Sequence, residues 1–301
     1  MKENQSRPEP WNIIATDIKE SPDFQLDNYT KYVKLDVRSN QVNEVIQSNE
    51  INTVVHLATI VTPGKKSNRD FEYAVDVGGT KNILDACVNN HVKRVIISSS
   101  GATYGYHRDH PEWLTENDSI RGNQTFAYSY HKRVVEEMLH VYRENHPELE
   151  QVIFRIGTIL GENVNNQITD LFKKKKLLGI KGSDSPFVFI WDQDIVACLA
   201  LAINSPKTGI FNVARDGKMT IDDIAQSLNK KVIRIPAPLI TSSLKVLKKL
   251  SLTQYGPEQV DFLRYRPVLD NTKLKQEFDF TPTYTSKEVF ERFIAGKDLS
   301  K

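Results

Sequence analysis

Tyr128 and Lys132 stand four residues apart in FAYSYHKRVVEEML, a run whose apolar positions recur every three or four residues. On a helix that spacing puts both side chains on one face. An ammonium held near a phenol favours the phenolate, which lets a group with an ordinary pKa near 10 act as a base closer to neutrality. Tyr130, two residues along, points to a different face. The pair alone is weak, since about one tyrosine–lysine pair at this spacing is expected by chance in a chain of this size. Its context strengthens it. Upstream, the apolar run VKRVIIS leads into Ser98-Ser99-Ser100-Gly101. A hydroxyl at the carboxyl end of a parallel strand faces the crevice where such sheets bind ligands. Ser100 is therefore placed to hydrogen-bond the oxygen that Tyr128 would deprotonate. The plainer reading of SSSGATYG is a polar loop that caps a strand.

Those residues need a scaffold, and the first half of the chain supplies one. Short apolar runs (NIIATD, KYVKLDV, NTVVHLA, VKRVIISSS, EQVIFRIG) alternate with helical stretches (QVNEVIQSNE, DFEYAVDVGGTKNILDACVNN, FAYSYHKRVVEEMLHVYREN). Such alternation predicts an α/β fold, a Rossmann-like doubly wound parallel sheet covered by helices on both faces. After Gly157 a polar stretch precedes FVFIWDQDIVACLALAIN and the strand-like GIFNVA, and the tail mixes short helices with proline-rich turns. We read one lobe in residues 1–157 plus 187–214 and a smaller, substrate-binding lobe in 158–186 plus 215–301. The lysine run 173–176 reads as a solvated helix face.

Bulk properties narrow the class. The 301 residues suffice for one large domain or two small ones. A net charge of +2 implies no strong pull toward nucleic acid or an anionic membrane. Cys87 and Cys198 lie in apolar runs and read as buried thiols. The polar start MKENQSRPEP is unlike a signal peptide, no run of about 18 apolar residues suggests a membrane span, and no metal-ligand cluster stands out. A cytoplasmic enzyme is the default.

The strand-SSxxxYG and YxxxK signatures resemble the extended short-chain dehydrogenase/reductase family, in its NAD-dependent epimerase/dehydratase branch. HLAT at 56–59, DVGGTKNILDAC at 76–87, FVFIWDQDIVACLALAI, GIFNVARDGKMTIDDIA and the tail VDFLRYRPVLDNTKLKQEFDFTPTYTSKE are similar to further family segments, so the resemblance covers most of the chain. It implies NAD as cofactor and a catalytic set of Ser100, Tyr128 and Lys132, with Lys132 also holding the nicotinamide ribose. Asp17, followed by Ile18, would accept hydrogen bonds from the adenosine ribose, favouring NAD over NADP. Asp36 and Val37 would flank the adenine. Leu57, Ala58 and Thr59 would line the cleft, and Gly157 and Thr158 would sit beside the nicotinamide. The implied chemistry is oxidation at a carbinol of a small-molecule substrate such as a nucleotide-sugar, with hydride returned later in an epimerase or dehydratase. The enzymatic alternative is a dehydrogenase or reductase of a sterol-like or small hydroxy substrate. The implied partners include neither nucleic acid nor membrane. Relatives pair through two helices per subunit, which implies a homodimer using the helix at 126–146.

Three departures stand out. Asp76 replaces the family's usual Asn, and Trp191 its common His. No glycine precedes Gly64, so the family's first strand and glycine-rich turn, which bring backbone and a helix N-terminus to a pyrophosphate, have no counterpart. Residues 1–10 read instead as the end of a lost first helix, and we expect unpaired strand edges where a central strand belongs. A chain without that grip raises a second class of function, a non-catalytic remnant that binds a ligand or partner.

Overall fold

A computed structural model of the chain describes residues 4, 7–61, 68–250, 252–253 and 255–297. Half of the segment read as the end of a helix, 1–10, lies outside the described residues.

The central sheet has four parallel strands in the order β3 (Thr53–His56), β4 (Arg94–Ser100), β5 (Glu150–Ile156), β9 (Gly209–Val213). Its strands are apolar on both faces because helices cover both. Val95, Ile97 and Ile153 meet helices α1 (Gln41–Ser48), α3 (Gly79–Asn89) and α4 (Ala127–Asn145) on one side. Ile96, Val152 and Phe154 alternate to the other side, where Cys198 and Ala202 of α6 (Asp192–Asn204) and Leu274 of α10 (Thr272–Gln276) pack. Cys87 and Cys198 are buried free thiols on opposite faces of this sheet.

Two earlier strands, β1 (Ile13–Asp17) and β2 (Thr30–Lys34), form their own parallel pair. Among the described residues no ladder joins β1 to β3. The unpaired strand edges expected from the sequence lie at this interruption. The expectation that every strand is buried also fails here: Ile13, Ile14 and Ala15 are only half-buried, since a strand paired on one edge lacks the cover of an interior one.

Before α3, the chain runs through α2 (Arg69–Tyr73) and a π turn, Ala74–Gly78, which carries Asp76. The stretch after Gly157 is more ordered than its polarity suggested. It contains β6 (Thr158–Leu160), α5 (Gln167–Phe172) and β7 (Lys176–Ile180). Lys173–Lys175 lie in the turn after α5 and Lys176 opens β7, so the lysine run is solvated but is not a helix face. β6 pairs with β8 (Phe189–Trp191), and β7 with β10 (Lys231–Ile235). Phe172, Phe187, Phe189 and Phe290 stack with ring centroids 5.2–6.2 Å apart, joining α5 and β8 to α7 (Ile221–Ser227) and α11 (Ser286–Lys297). Helices α8 (Ala237–Lys249) and α9 (Gln259–Arg264) complete this part.

Candidate active site

The first turns of α4 dock against the end of β4 through one helix face. Ser129 Oγ donates to the carbonyl of Ala102 (2.6 Å) and accepts from Asn123 N (3.0 Å). Lys132 Nζ donates to the carbonyl of Ser98 (2.8 Å). Glu136 accepts from Ser99 Oγ (2.5 Å). Positions 129, 132 and 136 recur at the helical repeat, so one stripe reads successive residues of the strand and its turn. A Cβ at Gly122 would run into the carbonyl oxygen of Ser129, which is why the loop can pass this close to α4 only as glycine.

This docking brings the expected residues together. The Ser100 hydroxyl lies near enough to the Tyr128 phenol to lower its pKa, and accepts from Ala102 N at 3.2 Å. Lys132 Nζ lies 5.7 Å from the centre of the Tyr128 ring. Tyr130 faces away, stacking on Tyr73 at 6.5 Å with Arg69 and Arg133 over its ring. Burial pushes the Tyr128 phenol up to about 12; Ser100 draws it down and the charge of Asp76 raises it further. Burial lowers Lys132 to about 8, opposed by Asp76 and Glu136. Tyr128 thus rests protonated at neutral pH.

Behind this face lie two buried ionic groups. Glu136 forms a bidentate pair with Arg155 of β5 (Nε 2.9 Å, Nη2 2.7 Å), and Arg155 Nη1 reaches Tyr104 Oη at 2.8 Å. Asp76 accepts from Thr59 Oγ1 (3.0 Å), Ile60 N (2.8 Å) and His131 Nδ1 (2.8 Å). It thereby ties the loop after β3 to α4. His56 is buried beside them with Nε2 3.0 Å from Thr80 Oγ1, and burial, then the charge of Lys132, lowers it to about 4. Sequence reasoning noted Asp76 only as a departure and missed its partner His131, because a pair 55 residues apart leaves no spacing signal.

The residues expected to hold a dinucleotide lie at the carboxyl ends of the strands. Asp17 is the last residue of β1, exposed, with one oxygen accepting from Lys19 N at 3.1 Å, and Ile18 is exposed beside it. Asp36 follows β2 but is engaged by Arg38 (Nε 3.0 Å), which holds its carboxyl below the usual range. Val37 packs on Gly79 at the start of α3. Leu57 and Ala58 are exposed just past β3, and Thr59 is committed to Asp76. Gly157 and Thr158 follow β5, held by Val213 and Val188 carbonyls. Exposed apolar side chains and a free carboxylate edge at the strand ends fit the two ends of a nicotinamide dinucleotide. The described residues offer no glycine-rich turn between them for its phosphates.

Trp191 is buried in the aromatic cluster under Arg292. Arg266 was not singled out from sequence. It is 8% exposed, lies 3.9 Å from the Phe187 ring centre and 4.9 Å from that of Phe262, and its Nε and Nη2 have no hydrogen-bond partner among the described residues. Burial lowers it to about 9.

A family model described as "NAD dependent epimerase/dehydratase family" matches residues 3–214. The chain belongs to that family. NAD is accordingly its cofactor class. Curated relatives of this epimerase/dehydratase chain include an uncharacterized protein of Mycobacterium tuberculosis, 24% identical over 90% of this chain and 72% of the relative. Another is the Escherichia coli O157:H7 N-acetyl-alpha-D-glucosaminyl-diphospho-ditrans,octacis-undecaprenol 4-epimerase, 24% identical over 74% of this chain and 70% of that one. Among solved structures, a Thermotoga maritima UDP-glucose 4-epimerase with UDP-glucose superposes with a TM-score of 0.72 at 14% identity, covering 94% of this chain and 89% of that chain. A Bordetella bronchiseptica enzyme solved with NAD and UDP gives 0.74 at 16% identity, covering 99% and 88%. At these identities the structural likeness bears on the fold: a Rossmann-type α/β architecture.

Proposed function

We propose that this family member is an NAD-dependent epimerase/dehydratase-type oxidoreductase acting on a carbinol of a nucleotide-sugar or another diphosphate-linked sugar. The observation that carries the reading is the convergence of Ser100, Tyr128 and Lys132 at the carboxyl end of β4. On this reading residues 1–157 plus 187–214 hold NAD, through Asp17, Ile18, Asp36, Val37, Leu57, Ala58, Thr59, Gly157 and Thr158 together with Tyr128 and Lys132. Residues 158–186 plus 215–301 hold the substrate. Bound NAD supplies the hydride acceptor. Ser100 donates to or accepts from the substrate oxygen and fixes it beside the phenol. Tyr128 takes the carbinol proton as the carbonyl forms and returns it when the carbonyl is reduced. Because the phenol sits near 12, the phenolate fraction rises about tenfold per pH unit below that value, and proton removal should speed up accordingly.

Arg266 supports the diphosphate. A buried guanidinium with two unpaired nitrogens is costly, and an anionic group offsets that cost through paired N–H donors. Its aromatic neighbour Phe262 also contacts Tyr106, which feels the charge of both Arg266 and Tyr128, so the cation and the phenol share one neighbourhood. A homodimer through α4 is part of the same proposal, checked by light scattering.

The test is incubation of the chain and NAD with a panel of UDP- and dTDP-hexoses, with sugar products resolved by chromatography and absorbance followed at 340 nm. Epimer or dehydrated product without net NADH supports the reading. Accumulating NADH would favour the dehydrogenase alternative. If Tyr128→Phe converts substrate as fast as the parent chain, the assigned base is wrong; if neither turns over any sugar, the non-catalytic alternative gains.

A further inference from the structure

One side of the second lobe presents apolar side chains to solvent in an organised stripe. Helix α8 buries Ile240, with Ala237 and Leu244, against Ile180, Ile235, Val260 and Leu263. That accounts for one face. On another, Leu239, Ser243, Val246 and Leu250 recur at i, i+4, i+7 and i+11, a second stripe. Leu239 is 60%, Val246 58% and Leu250 61% exposed, and Leu252 beyond the helix is 70% exposed. The two-stranded sheet beneath extends the patch. Its paired positions Lys176↔Lys231, Leu178↔Ile233 and Ile180↔Ile235 lie on one face, because side chains alternate with period two. Helix α8 covers only the last of these pairs, leaving Leu178 and Ile233 in solvent on the same side.

Unpaired lysines border this apolar surface. Lys176 and Lys231 stand side by side, and Lys249 borders the helical stripe; none of the three makes an ion pair among the described residues. Nearby, Lys248 is paired with Glu258 (3.3 Å) and Arg234 with Asp222, while Lys245 faces α9 and lines a pocket with Glu258 and Asp261. The net charge of only +2 conceals this local excess. A second copy docked about a two-fold axis would set these lysines against lysines. An anionic lipid surface would neutralise them while taking up the leucines. At 13 residues, α8 is about 20 Å long, too short to cross a bilayer and suited to lying in its interface.

We propose that this face, α8 with the open edge of the β7–β10 sheet, docks the protein on the surface of an anionic phospholipid bilayer. The proposal is independent of the reading of the cleft, so it stands or falls without a turnover assay. It is tested by sedimenting the full chain with vesicles of phosphatidylcholine alone or of phosphatidylcholine mixed with phosphatidylglycerol, at low and high salt. The expected result is pelleting with the phosphatidylglycerol vesicles, weakened by salt. Leu239→Ser/Val246→Ser/Leu250→Ser and, separately, Lys176→Glu/Lys231→Glu should each cut the vesicle-bound fraction by about tenfold or more, with unchanged far-ultraviolet circular dichroism. Absence of binding to anionic vesicles overturns the proposal, as does equal binding to phosphatidylcholine alone. So does a vesicle-free dimer that the triple-serine variant dissociates, which would assign the face to a second copy.

Discussion

Replacing Glu136 by Gln should unfold this protein at markedly lower denaturant, and the reason lies in a pair with no access to water. The side chains of Glu136 and Arg155 are 2% and 4% exposed, joined by two Arg N–H donors, with Ser99 donating to the same carboxylate. Burial alone would lower Arg155; Glu136 more than offsets it and holds the guanidinium above its ordinary range. Gln keeps one acceptor but turns an amide donor toward the cation and removes its counter-charge. Leaving a buried charge unpaired costs about 3–5 kcal/mol. For a chain of 301 residues that corresponds to a fall in Tm of roughly 5–8 °C. The double variant Glu136→Met/Arg155→Met removes both charges, and apolar replacement of a whole buried pair is often close to neutral. Ser99 then loses its acceptor, and Tyr104 keeps Thr115 O and Asn212 Oδ1. One stranded hydroxyl costs about 1–3 kcal/mol, so the double variant should recover at least part of the loss. Urea unfolding followed by tryptophan fluorescence, run on both singles and the double, measures this. A Glu136→Gln cost below about 1 kcal/mol, or a double variant whose loss equals the sum of the singles, refutes the reasoning.

Further outcomes follow from the same neighbourhood. His56 has its pKa lowered from 6.5 to about 4, so between those values the unfolded chain binds a proton that the folded chain does not, and stability should fall as pH drops from 6.5 toward 4. The loss approaches about 3 kcal/mol from this group, and His56→Gln should flatten that acid limb in thermal melts across pH. Asp76→Asn should lower the Tyr128 pKa, since the carboxylate's charge raises it; absorbance at 295 nm against pH, with Asp76→Asn/Tyr128→Phe subtracted, reads the shift, and an unmoved titration counts against the assigned electrostatics. Gly122→Ala should destabilise by about 1–3 kcal/mol, because its methyl meets the Ser129 carbonyl of α4; a neutral melt would show that the loop can retreat.

The parts of this molecule legible in the sequence are those set by short-range periodicity. β4, β5, β9 and α4 stand where continuous apolar runs and three–four spacing put them, and the Tyr128–Lys132 face follows from helical geometry. What joins α4 to the strand, Ser129 and Glu136, was not foreseen, since a helix stripe that reads a strand's carbonyls and hydroxyls is defined only once both elements are docked. The interval 158–186 looked irregular because α5 and β7 are short and amphipathic, with lysines at their junction. Arg266 carried no signal at all: its interest is that two nitrogens are buried and unpaired among the described residues, a property of the fold around it rather than of the residues beside it. β1 shows the converse, an apolar run that promised an interior strand but is half-exposed because only one neighbour is bonded to it.

The π turn at Ala74–Gly78 sets two helical segments out of phase. A turn that closes one residue later than its neighbours carries one more residue than an α-turn, so the side chains before and after it are rotated by about a quarter of the circle relative to an unbroken helix. Upstream, Phe71 meets Arg38 and Tyr73 meets Tyr130; downstream, Ile83, Leu84 and Cys87 meet the sheet. Each half is therefore indexed to its own surroundings, with the carboxylate of Asp76 at the joint where the two indexings meet. Excision of a single residue here would restore regular winding, yet only by dragging one half off its mates. The irregularity works as a vernier, letting the aromatic contacts of Phe71 and Tyr73 and the hydrophobic interior each keep their own registration along one continuous rod.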